Sequence, residues 1–197
     1  MVVLKRFFLT LILLVNTTFA FDFYGMGATN YDFIASLSES YDESLGVKYY
    51  MQVDRFNKKN NKILHNDDKK YKKLDIDLIL QPVFFELGND NLGASFGYML
   101  GFGYSKFDIP QGLHDEGVKY NAGLGLDIST YHLTTTIKSI VSTSSTFDLD
   151  NKNRVLFTLG PKYWPMITFG YEYRIFKVKD FKSNNHSLML GLSFVID

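Results

Sequence analysis

The chain has 197 residues, 46% hydrophobic, 16% aromatic and 21% charged, with no cysteine and with 21 basic against 21 acidic residues. That balance excludes the basic excess of a nucleic-acid binder, and the lack of cysteine excludes disulfide scaffolds, thiolate metal sites and cysteine nucleophiles. A mean hydropathy of −0.07 excludes a bundle of membrane-spanning helices.

Residues 1–20 combine a basic start (Lys5, Arg6), an apolar stretch from Phe7 to Val15 and small residues at Thr18 and Ala20. This pattern predicts a secretory signal peptide cleaved after Ala20, because the apolar stretch is shorter than the ~20 residues of a spanning helix. Residues 21–197 then form one domain carrying 19 basic and 21 acidic residues.

Phe21 to Thr29, with Gly25 and Gly27 on its inward face, reads as a strand. Phe33, Ala35 and Leu37 opposed to Ser36, Ser38 and Ser40 read as its partner across Asn30-Tyr31-Asp32. The same stretch fits an amphipathic helix, since Phe33, Ile34, Leu37 and Tyr41 also share helical spacing behind Asn30 or Asp32. From Ser44 onward apolar residues alternate with polar or small ones, which is the two-residue period of strands with unlike faces. Leu45, Val47, Tyr49, Met51 and Val53 oppose Gly46, Lys48, Tyr50 and Gln52. Leu74, Ile76, Leu78, Leu80 and Phe84 oppose Asp75, Asp77 and Gln81. The longest example sets Leu92, Ala94, Phe96, Tyr98, Leu100, Phe102 and Tyr104 against a face rich in glycine. Val118 to Ile128, Tyr131 to Val141, the short Val155 to Leu159, Ile167 to Ile175 and Ser187 to Ile196 follow the same rule.

The charges Lys48, Asp75, Asp77, Lys119, Asp127, Lys138, Glu172 and Arg174 share the face of the glycines and serines, and the opposite face is aliphatic and aromatic. So much apolar surface does not fit the core of a compact soluble sandwich. It fits the outside of a closed transmembrane barrel, whose closure also removes unpaired strand edges from lipid. In this pattern the chain resembles the small outer-membrane β-barrel proteins of Gram-negative bacteria, the class of OmpX, NspA and OmpA barrels, although it carries no family-specific motif. The resemblance covers residues 21–197. It implies an all-β, antiparallel, up-and-down barrel in the outer membrane, bound to lipid and lipopolysaccharide, inserted by the barrel assembly machinery and monomeric. The last strand departs from the class by ending Phe194-Val195-Ile196-Asp197, without a terminal aromatic residue.

Short connections at Gly88 to Asn91, Ser129-Thr130 and Pro161-Lys162 alternate with longer polar ones at Asn57 to Lys72, Asp108 to Glu116 and Ser142 to Lys152. This gives eight strands from Ser44 to Ile196. It puts Tyr104, Tyr120 and Tyr173 near the outer rim and Tyr131 and Tyr163 near the inner rim. Because strand number is even, residues 21–43 contribute two strands or none, so the expectation is ten strands, with eight plus an N-terminal helix or plug as the alternative.

The eight inward charges are four cations and four carboxylates, the balance of a network that fills a narrow lumen. The connection from Asn57 to Lys73 concentrates Lys58, Lys59, Lys62, Lys69, Lys70, Lys72 and Lys73 against Asp67 and Asp68, a candidate surface for lipopolysaccharide phosphates or another polyanion. Acid–base chemistry could use only His65, His114, His132 or His186. His114-Asp115 with Asp67-Asp68 loosely resembles the residue couples of omptin proteases, and His186-Ser187 suggests a lipid A-modifying enzyme. No nucleophile–base set, metal-ligand cluster or cofactor motif stands out. The expected function is therefore a structural or surface-interacting barrel without catalytic residues, metal or cofactor, with an outer-membrane enzyme and a small diffusion channel as rivals.

Overall fold

The computed structural model describes residues 21–39, 47–58, 64, 69–89, 92–110, 112–160 and 165–196. The expected signal peptide lies outside them, as do Lys59, Lys62, His65, Asp67, Asp68 and Tyr163. The strands are β1 (Phe21–Ala28), β2 (Tyr31–Glu39), β3 (Val47–Asn57), β4 (Lys72–Asn89), β5 (Leu92–Ile109), β6 (Leu113–Thr130), β7 (Leu133–Ser144), β8 (Leu149–Leu159), β9 (Met166–Val178) and β10 (Phe181–Ile196). Each pairs antiparallel with its sequence neighbours, and β1 pairs with β10, so the sheet closes into a ten-stranded barrel.

The ten-strand expectation holds, and residues 21–39 are two strands, not a helix or plug. Closure explains this outcome: β1 bonds along β10 from Phe21↔Ile196 to Ala28↔Met189, and β2 bonds along β3. The eight-stranded alternative would need β3 to pair directly with β10, whereas here β1 and β2 stand between them. The turn falls at Thr29-Asn30, one residue earlier than expected, and the Asn30 side-chain amide donates to the His186 carbonyl at 2.8 Å. The expected facing of β1 is reversed, because Gly25 and Gly27 pair in unbroken register with the outward Leu192 and Leu190 of β10. Met26 is buried inside and Gly27 is exposed outside.

A continuous row of partners starts at Ser129 on β6 and passes through Thr134, Thr158, Thr168, Gly191, Met26, Ile34, Asp54, Asp75 and Ser105. It returns to β6 at Gly117, twelve residues from where it began. A shear of twelve over ten strands tilts them by about 40°. We call the end that carries the β1–β2, β3–β4, β5–β6, β7–β8 and β9–β10 connections the upper end. There β4, β5 and β6 have 18 residues each, well beyond the ~10 that cross a bilayer. The long polar connections expected at 108–116 and 142–152 are therefore mostly paired strand. β5 and β6 stay in register to Ile109↔Leu113, and β7–β8 pairing reaches Ser142↔Asp150.

Alternation sets the two faces throughout. On β10 Met189 is 4% exposed and Leu190 65%. The outside carries Leu78, Leu80, Leu100, Phe102, Leu124, Ile137, Ile167, Phe169, Leu188 and Leu192. Tyr104, Tyr120 and Tyr173 stand above this band, and Tyr131 is exposed at the lower end. Inside, glycine makes room for larger neighbours. A Cβ on Gly123 would lie 2.2 Å from the Ser139 carbonyl oxygen, whereas one on the outward Gly27 would meet nothing within 4 Å. Gly123→Ala is therefore expected to cost about 1–3 kcal/mol by overpacking, and Gly27→Ala to leave stability unchanged or raise it. Urea unfolding of the two variants in micelles measures the difference.

Candidate functional site

The lumen is filled in layers. Highest is an aromatic cap, formed because inward positions near the upper strand ends are Phe56, Phe107, Phe176 and Phe181, with Tyr71 and Phe147 folded in from the connections. Tyr71 stacks between Phe56 and Phe176, with centroids at 4.7 and 5.0 Å, and Phe107 and Phe147 close on Phe176 at 5.5 and 5.7 Å. Its one polar edge is satisfied, since the Asn185 amide donates to the Tyr71 hydroxyl at 3.1 Å.

Beneath the cap lies a buried ionic network. Asp75 is its hub: Oδ1 meets Lys73 at 2.6 Å and Lys119 at 3.0 Å, and Oδ2 meets Lys152 at 3.0 Å and Arg174 at 2.8 Å. Asp150 takes both Arg174 Nε (2.8 Å) and Nη2 (2.6 Å), with Lys73 Nζ on the same Oδ2 at 2.6 Å. Asp77 accepts from Lys119 at 2.9 Å and from the Asn121 amide at 2.8 Å. Asp54 accepts from Lys152 at 3.0 Å, with Arg154 at 3.5 Å. Glu172 holds Arg154 through Nε at 3.0 Å and Nη2 at 2.6 Å, and its second oxygen accepts the Tyr31 hydroxyl. Five cations thus face five carboxylates, and multiple hydrogen bonds to each carboxylate offset the cost of removing these charges from water.

Below the network Lys138 projects over the Tyr50 ring, with Nζ 3.6 Å from the centroid, a cation–π contact. Ile79, Met99, Ile140 and Tyr50 form a small apolar layer there. Lower still, Lys48 binds Asp127 at 2.9 Å and Ser95 at 2.8 Å, and Thr136 donates to the other Asp127 oxygen at 2.7 Å. A cavity of about 10 Å³ lies among Gln52, Asp77, Lys138, Ile140, Lys152 and Arg154, room for about one water.

All eight charges expected to face the lumen do so. Asp75, Asp77, Lys119, Glu172 and Arg174 belong to the upper network, Lys48 and Asp127 to the lower pair, and Lys138 sits between them. Sequence reasoning missed Asp54, Asp150, Lys152, Arg154 and Tyr31. The first is in phase with Tyr50 and Gln52, and the next three recur at every second position, but residues 142–152 read as a loop.

Two lysines of the expected polyanion-binding loop need correction. Lys73 is fully buried because it is in phase with Asp75 and Asp77. Lys58 is 4% exposed and donates to Ser183 Oγ at 2.9 Å. Lys69, Lys70 and Lys72 are exposed.

The histidine couples are not assembled among the described residues. His186 faces outward, where Nδ1 meets the Tyr171 hydroxyl and the ring packs on Tyr173 at 4.9 Å. Ser187 faces inward and accepts from the Asn30 amide at 3.2 Å. Neighbours on a strand point to opposite sides, so His186 and Ser187 are not a nucleophile and base. His114 is exposed, and His132 packs edge-on against Tyr131 at 4.6 Å.

No protein-family model and no curated protein matches the chain. Among solved structures it is similar to Neisserial surface protein A, at 12% identity and TM-score 0.43, covering 91% of this chain and 97% of that one. It is also similar to LpxR from Salmonella typhimurium, at 10% identity and TM-score 0.39 over 89% and 99% of the two chains. The KdgM porin aligns at 9% identity and TM-score 0.39 over 90% and 99%.

Proposed function

We propose that the chain is an integral outer-membrane β-barrel of a Gram-negative bacterium, inserted by the barrel assembly machinery and monomeric. Its role is structural or surface-interacting, and its lumen is closed by its own side chains. The observation that carries this reading is the stack of aromatic cap and neutral ionic network, which together occupy the upper lumen. The apolar outer band and the closed hydrogen-bonding of the sheet support the membrane assignment.

In planar bilayers the purified barrel is expected to give no stable conductance steps. Glu172→Ala, which removes the carboxylate nearest Arg154, and Lys138→Ala, which removes the cation over Tyr50, are expected to admit ions and produce flickering events. Steady conductance by the unaltered protein would overturn the sealed lumen. Conductance indifferent to both substitutions would leave the network without a closing role. The exposed Lys69, Lys70 and Lys72 retain the polyanion-facing part of the expected loop.

A further inference from the structure

The outward charges near the upper end follow one rule from β2 to β6. Arg55 Nε meets Asp32 at 3.2 Å. Lys72 stands opposite Asp108 in register. Lys106 stands opposite Glu116 and bonds to it at 2.7 Å, and hydrogen bonds from Lys106 and Tyr104 hold the Glu116 carboxyl below the usual range.

The β9–β10 hairpin breaks the rule. Lys177 and Lys182 are direct cross-strand partners on the outer face, an arrangement that costs free energy between like charges. Asp148 lies 3.9 Å from Lys177, both half exposed, and Asp180 shares the turn with Lys179. Lys69 adds a fourth cation by donating to the Lys182 carbonyl at 2.8 Å. Four cations therefore gather against two carboxylates.

Below the lysines the paired rows change character in order. Asn184 pairs with Ile175, His186 with Tyr173, Leu188 with Tyr171, Leu190 with Phe169 and Leu192 with Ile167. On the adjoining strand Asn151 and Asn153 lie beside Ile175 and Tyr173, joined by a 3.0 Å amide hydrogen bond, and Ser139 donates to Asn153 at 2.8 Å. The face thus passes from cations to amide and imidazole groups, then to aliphatic and aromatic side chains. This is the order of phosphate, sugar and acyl chain in a phosphorylated glycolipid.

We propose that the outer face of β8–β10 binds one phosphorylated glycolipid, with Lys177 and Lys182 bracketing a phosphate. Asn151, Asn184 and His186 hydrogen-bond the sugar, and Leu188, Leu190 and Phe169 lie along an acyl chain. The assignment rests on the membrane reading of the barrel. The lysine pair is the part that points to an anion, since this strand pair with no ligand would be more stable with one lysine reversed, as β5 and β6 are with Lys106 and Glu116.

The test uses the chain without residues 1–20, refolded into phosphatidylcholine nanodiscs. Native mass spectrometry counts bound lipid A with its phosphates intact, lipid A with both phosphates removed, or inorganic phosphate. Failure to enter the discs would overturn the membrane reading before any lipid is added. For an inserted barrel, intact lipid A is expected to be retained, and Lys177→Gln with Lys182→Gln to lower its occupancy about tenfold, a free-energy loss of about 1.4 kcal/mol. Lys182→Glu, which sets a carboxylate directly opposite Lys177, is expected to abolish retention while raising the unfolding temperature of the lipid-free barrel. Equal retention of dephosphorylated lipid A, displacement of intact lipid A by millimolar inorganic phosphate, or unchanged binding by the double variant would each overturn the site.

Discussion

Asp75→Ala is expected to destabilise the barrel by about 3–5 kcal/mol, because removing one partner of a buried ion pair leaves uncompensated charge in the interior. The loss should stand near the top of that range. Lys73, Lys119, Lys152 and Arg174 all converge on this one carboxylate. Lys73, Lys119 and Arg174 are fully enclosed, so they do not recover their bonds from bulk water. The proper control is Lys106→Gln, which removes an ion pair of similar length from the exposed β5–β6 hairpin and should leave stability nearly unchanged, because water and salt screen such pairs. Urea unfolding in vesicles, followed by heat-dependent gel mobility, reads both. A loss for Asp75→Ala as small as that of the control would mean that the network is solvated and contributes little to the fold.

The second large effect is expected from Phe176→Ala, at about 3–5 kcal/mol for truncating a large ring in a packed core. Phe176 is fully buried. It stacks on Tyr71, meets Phe107, Phe147 and Phe181 edge-on or tilted, and has Lys73 Nζ 5.3 Å from its centroid. Its removal therefore loosens the cap and exposes the hub of the network at the same time. Phe176→Leu keeps most of the volume and should cost markedly less. Urea denaturation with both variants tests the ordering, and equal losses would place the energetic weight in the ring's electrostatics and not in its volume.

The fold was legible wherever lipid and lumen impose unlike chemistry on alternate residues. The run from Leu92 to Tyr104 has seven outward apolar side chains opposite glycine, serine and Met99, and no helix explains that spacing. Legibility failed where the strands rise above the apolar band. There the outer face turns polar, so Asp150 and Lys152 lose the contrast that marks a strand and read as loop, and Arg154 falls just before the segment from Val155 to Leu159. Lys73 was misplaced for the same reason, since its neighbour Lys72 is an exposed outward lysine. Gly25 and Gly27 are expected in the lumen, yet they stand opposite the outward Leu192 and Leu190, because the facing of β1 is set by its register on β10, which its own residues do not reveal. The ionic network itself was foreseeable in kind, because inward charges of both signs recur along the chain. Its hub was not, because four partners drawn from β4, β6, β8 and β9 meet only when the cylinder is closed.

The pairing of β1 with β10 also constrains the order in which the molecule is made. Residues 21–28 are translated long before residues 189–196, yet they form one seam. Until that seam joins, the sheet is an open ribbon whose two rims carry unbonded amides and whose concave side bears unshielded ammonium and guanidinium groups. Hydrocarbon rejects both. A gradual passage into the bilayer, strand after strand, would present these groups to acyl chains at each step. The cheaper route rolls the ribbon up in an aqueous or catalysed setting and delivers the cylinder already shut. On that route biogenesis is close to all-or-none, and a nascent chain missing only its final strand is a substrate for proteolysis, not a partly working product.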